Sequence, residues 1–117
     1  MTVKECYEQM GSNYNNVLER LGSEALVKRF AIKFKDDPSF MNLTNALEAG
    51  DADEAFRAAH TLKGICLNLG FDKLYEASAA LTELLRGREM QQGYKELYRA
   101  VKEQYDITLA AVSGMQD

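Results

Sequence analysis

Five of the eight glycines, at positions 11, 22, 50, 70 and 87, divide the chain into segments whose apolar residues recur every three or four positions. Glycine tolerates the positive φ at which helices commonly end, so this spacing reads as a series of helices closed by glycine. There is one proline, Pro38, and no run of alternating β-branched residues bounded by hairpin turns. The chain therefore reads as all-α. A length of 117 residues suits one domain with one core, expected here over residues 1–117.

The segments can be placed from their caps and stripes. Residues 2–21 hold one or two short helices carrying Val17, Leu18 and Leu21. Ser23 caps a helix over about 23–36, with Leu26, Val27, Phe30, Ala31 and Phe34 at helical spacing. Asp37 caps the next, with Pro38 at its first position and Phe40, Leu43 and Leu47 as its buried stripe. Asp51 and Glu54 have capping-box spacing and open a helix that runs to about Leu69. Asp72 caps another to about Arg86, with Leu74, Ala77, Leu81, Leu84 and Leu85 facing inward. A last long helix is expected from about Met90 to Val112. Short connections favour antiparallel neighbours, so the last four helices are expected to form an antiparallel four-helix bundle over about 38–113. The helices of about 2–36 then cover one end.

Composition excludes several functions. Apolar residues make up 46% and charged residues 27%, the balance of a globular chain rather than a disordered or membrane one. No window approaches the roughly 18 uninterrupted apolar residues of a spanning helix, and "MTVKECYEQM" lacks signal-peptide layout, so a cytoplasmic location is expected. The net charge of −4 argues against nucleic-acid binding, which rests on positive charge facing phosphates. Cys6 and Cys66 are far apart and form no metal or disulfide motif, so both are expected as reduced thiols.

His60 is the sole histidine, in "AAHTLKG". Ala52, Ala55, Ala59, Leu62, Cys66 and Leu69 cluster on one face of their helix, which turns His60 away from the core and toward solvent. Gly64, one turn on, costs about 1 kcal/mol relative to alanine inside a helix, and its missing side chain leaves space beside the ring. Lys63 and Arg57 place cations on the same flank, where they favour an anion attached to the ring. Phe56 and Leu67 lie toward that flank too and together form a candidate docking patch. Near neutral pH much imidazole is uncharged, its ordinary pKa being about 6.5, and it can attack phosphorus. A lone histidine is a poor metal site, and no metal is expected.

The stretch "AHTLKGICLNLGFDKLYEASAALTELLR" resembles the histidine phosphotransfer (HPt) domain of multistep phosphorelays, whose signature is a histidine, two residues, Lys-Gly, and a glycine about six residues later. His60, Lys63, Gly64 and Gly70 stand at those positions. The resemblance implies a helical bundle with His60 as phosphoacceptor, Lys63 neutralising phosphoryl oxygens and Gly64 leaving room for the partner. It also implies that phosphate comes from, and passes to, an aspartate of a response-regulator receiver domain, which supplies the Mg²⁺. No cofactor of the chain's own is then needed, and the sequence has no phosphate-binding glycine loop. A hybrid or sensor histidine kinase, itself another protein, would feed the relay, and a monomer is expected. Many family members orient the imidazole with a glutamine of the following helix. Thr82 aligns there, and its shorter hydroxyl would act directly, through water or not at all. The rival reading is a helical interaction module that uses the Phe56 and Leu67 surface without phosphate chemistry.

Overall fold

In the computed structural model, which describes residues 1–115, seven α-helices follow one another: α1 (Val3–Gln9), α2 (Tyr14–Leu21), α3 (Glu24–Lys33), α4 (Ser39–Glu48), α5 (Ala52–Leu69), α6 (Asp72–Leu84) and α7 (Tyr94–Ser113). A 3₁₀ turn, Phe34–Asp36, extends α3. The described residues contain no strand. The molecule measures 40 × 22 × 19 Å.

Local chemistry explains most of these boundaries. The Ser23 hydroxyl accepts from the Leu26 N–H at 3.2 Å, so that expected cap forms. The expected start of α4 is displaced by one residue: Pro38 is the N-cap rather than the first helical residue, and Asp37, just before it, accepts from the Ser39 N–H through Oδ1 at 2.8 Å. Asp51 Oδ1 accepts from the Glu54 N–H at 3.1 Å, but its own N–H donates to the Ala46 carbonyl at 2.9 Å, so only half of the expected capping box is made. Asp72 does not cap α6. It is the first residue of that helix, its carboxylate accepts from the Asn13 N–H at 3.2 Å, and its own N–H donates to Ser12 Oγ at 3.1 Å. The side chain is therefore used to tie the α1–α2 connection to the start of α6.

Gly70 closes α5 at φ +70°, and a Cβ there would stand 2.9 Å from Val17 Cβ. Conformation and close approach both require glycine at this position. The connection after α6 departs from the sequence reading. The helix ends at Leu84, α7 starts at Tyr94 after Gly93 at φ +93°, and between them it is Arg88 (φ +58°), not Gly87, that takes the left-handed conformation.

One hydrophobic core joins all seven helices. Its axis is α5, whose Ala55, Ala59, Leu62 and Cys66 are fully buried, and whose small side chains let α4 and α6 approach closely. Leu43 on α4, Leu74 and Leu81 on α6, and Val101, Ala111 and Val112 on α7 face the same interior. The bundle closes between α4 and α7, where Phe40 stacks on Tyr98 and Tyr105 and Thr44 Oγ1 lies 2.7 Å from Tyr98 Oη. The N-terminal helices are fastened to one end by the Tyr7 hydroxyl, which donates to the Leu69 carbonyl at 2.6 Å inside the core. Among the described residues no helix is long and apolar enough to cross a membrane.

Candidate functional site

His60 is the ninth of the eighteen residues of α5, and it is exposed. The alanine-rich stripe that binds α5 to its neighbours fixes this outcome: with Ala55, Ala59 and Leu62 pointing inward, position 60 must point out. Its imidazole lies parallel to the Phe56 ring one turn earlier, centroids 5.9 Å apart and planes 9° apart. No side chain among the described residues hydrogen-bonds the imidazole.

The other residues of the motif fall around it. Gly64 is half-buried, yet a Cβ built there would meet nothing within 4 Å, so the space beside the ring is open. Lys63 is half-buried and sits close enough to Glu83 of α6 to help hold that carboxyl below its ordinary value, after the larger effects of the hydrogen bond and charge of Arg86. The Arg86–Glu83 pair is 2.9 Å across and more than half exposed, so solvent screens it and it adds little to stability. Arg57 is exposed and paired with Asp53 at 3.2 Å. The flank around His60 thus carries Arg57 and Lys63 from α5 and Arg86 and Arg88 from the end of α6 and the connection after it.

Two expectations need correction. Phe56 is not an open docking residue: only 8% of it is exposed, because the Arg88 guanidinium lies 4.2 Å above its ring and the Arg86 guanidinium 5.8 Å away. Thr82 does not hold the imidazole. It is fully buried, and its hydroxyl donates to the Ser78 carbonyl, one turn back on α6, at 2.7 Å. A threonine inside a helix readily turns its hydroxyl onto the carbonyl four residues earlier, and here that bond is made in place of any to His60.

Leu67 keeps its expected exposure at 50%. Two further apolar residues of the described chain, both on α3, are exposed as well. Leu26 and Phe30 on α3 are each 37% exposed, while Val27, Ala31 and Phe34 fill the interior. The apolar arc of α3 is wider than the contact it makes, and that excess width is the signal by which the two could have been found. Phe30 also lines a cleft of about 650 Å³ with Leu21, Phe34, Pro38, Ile65 and Leu69, and with Arg20, Lys33, Asp36, Asp37 and Asn68 as its polar walls. The Arg20 guanidinium donates to the Leu67 and Asn68 carbonyls, which joins α2 to the end of α5 beside this cleft.

The cysteines face the other way. Burial pushes the Cys6 thiol up to about 11 and raises Cys66 further, so both are held as neutral thiols in the core. Among the described residues no three His, Cys, Asp or Glu side chains gather as metal ligands.

Residues 39–113 match the family model of the Hpt domain. The chain belongs to the Hpt domain family. The match begins on the first residue of α4 and ends on the last of α7, so it covers the four-helix bundle and leaves α1 to α3 outside it. No curated protein and no solved structure matches the chain. Hpt domains serve phosphotransfer in two-component phosphorelays, where they interact with receiver domains and histidine kinases. In this Hpt domain, the exposed histidine sits midway along a bundle helix with an open glycine one turn away.

Proposed function

We propose that the protein is a phosphorelay intermediate that accepts a phosphoryl group on His60 from a receiver-domain aspartate and passes it to the aspartate of another receiver. The observation that carries this reading is the pairing of an exposed imidazole, free of hydrogen bonds to other side chains among the described residues, with the open space over Gly64. A neutral ring nitrogen needs its lone pair unobstructed to reach phosphorus in line with the departing oxygen. Attack on the aspartyl phosphate forms a P–N bond and breaks the P–O bond, the aspartate leaving as carboxylate. The imidazole is left with one N–H, and its extra positive charge is relieved by loss of a proton to water. Transfer onward reverses these steps on the second receiver.

Lys63 is the cation nearest to the ring in sequence on the open side, and it would offset the charge of the phosphoryl oxygens. The receiver supplies Mg²⁺, and the phosphoryl group originates on a hybrid or sensor histidine kinase. Arg57 and Leu67 flank the point of attack and would meet the receiver surface. Leu26 and Phe30 of α3 are partly exposed apolar side chains, Phe30 on the wall of the cleft, and they would add to the docking surface that the covered Phe56 does not supply. The protein would work as a cytoplasmic monomer, since each step needs one His60 and one receiver.

The test is a two-receiver relay in solution. A receiver phosphorylated on its aspartate should lose its label to the protein, and a second receiver should then take it up. A Leu67→Asp variant should raise the receiver concentration needed for half-maximal transfer. A wild-type protein that neither discharges the first receiver nor charges the second would overturn the proposal.

A further inference from the structure

We propose that Phe56, clamped by Arg88, is the positioning residue for His60: ring stacking fixes the imidazole where no hydrogen bond does. The inference rests on the phosphoacceptor reading of His60. The second torsion of a histidine side chain has a broad, roughly two-fold profile, so an exposed ring without a partner samples many planes. Here the ring lies within 9° of parallel to Phe56, its neighbour at the four-residue helical spacing, and this removes most of that freedom. Thr82 cannot share the task, because its hydroxyl is spent on the Ser78 carbonyl.

A stack orients only if its other member is fixed, and Phe56 is fixed from outside the helix. The Arg88 guanidinium stands 4.2 Å over its ring, and Arg88 Nε is paired with Asp53 Oδ1 at 3.3 Å. Asp53 precedes Phe56 by three residues on the same face of α5, so the guanidinium is held at two points directly above the ring. The backbone supports the same reading. Arg88 adopts φ +58° although Gly87, which would do so without strain, is its neighbour. The connection between α6 and α7 is shaped to deliver this side chain. Asp53, Arg88, Phe56 and His60 thus form one chain of contacts that ends on the reacting ring and, among the described residues, leaves both its nitrogens without a hydrogen bond.

The experiment uses the full chain, a phosphorylated receiver domain and the variants Phe56→Leu, Phe56→Tyr and Arg88→Gln. The His60 ring protons should carry a ring-current displacement in wild type and Phe56→Tyr that is absent in Phe56→Leu and reduced in Arg88→Gln. Phe56→Leu should lower the maximal transfer rate about tenfold or more with little change in the receiver concentration at half-maximal rate, and Phe56→Tyr should restore it. Arg88→Gln changes a half-exposed side chain and carries the test if Phe56→Leu fails to fold. Wild-type rates and unshifted His60 signals in Phe56→Leu and Arg88→Gln would overturn the positioning role while leaving the phosphoacceptor reading intact. A weakened half-maximal concentration at an unchanged maximal rate would also overturn it, making Phe56 a docking residue. A wild type that shows the ring-current signature but accepts no phosphate would remove the phosphoacceptor reading, and the positioning role with it.

Discussion

Thr82 donates its hydroxyl to the carbonyl of Ser78 at 2.7 Å, and so the helix facing His60 offers the imidazole no hydrogen bond from the position where a longer side chain would reach it. Thr82→Val keeps the shape and removes the hydroxyl. The Ser78 carbonyl still has its helical N–H partner, so stability should change by about 1 kcal/mol or less. Transfer from a phosphorylated receiver should stay within about twofold of wild type, since a barrier change of 1.4 kcal/mol is needed for a tenfold effect. A tenfold loss would place Thr82 back on the ring.

At Gly64 stability and function should move in opposite directions. Its φ is not in the left-handed region and a Cβ there meets nothing, so Gly64→Ala should stabilise the fold by about 0.5–1 kcal/mol, read from the denaturant midpoint. Gly64→Gln should leave helix content intact and slow transfer, because its side chain fills the space a receiver must enter. Unchanged kinetics in Gly64→Gln would show that access is not the reason for glycine.

Lys63→Ala should act on the phosphorylated state rather than on the fold. The side chain is half-buried and makes no ion pair within 4 Å among the described residues, so unfolding free energy should change by roughly 0.5 kcal/mol or less. The lifetime of phosphate on the protein, or the rate of its arrival, should fall measurably. A large stability loss would mean that the lysine stem packs as core.

Alkaline pH should destabilise the protein through its thiols. Cys6 is raised from an ordinary 9.0 to about 11 by burial, and Cys66 moves in the same direction for the same first cause. The native state therefore keeps protons that the unfolded state gives up above pH 9, so the unfolded state binds fewer protons there and stability falls as pH rises from about 9 toward 11. Below pH 9 the contribution is constant. Chemical denaturation at pH 8 and pH 10.5 should show this loss, and native Cys6 and Cys66 should resist thiol reagents at pH 8 until the chain unfolds.

Much of this was legible because α5 is a repeating pattern. Ala55, Ala59, Leu62 and Cys66 mark one face, and that alone turns His60 outward and sets Gly64 beside it. What could not be read depends on elements distant in sequence. Phe56 looks exposed on a helical wheel, and only Arg88, carried in by the connection after α6, covers it. The same holds for Asp72, whose carboxylate serves Asn13 rather than its own helix. Leu26 and Phe30 show a subtler limit: periodicity says which residues share an arc, but the width of the neighbouring helix decides how much of the arc is buried.

The most direct measurement is the phosphorus spectrum of the protein after incubation with a phosphorylated receiver. A phosphoramidate resonance, stable in base and lost in acid, should appear in the wild type and be absent in His60→Gln, with both proteins equally folded. Absence of that resonance in the wild type, or its persistence in His60→Gln, would contradict the assignment of His60 as the phosphoacceptor.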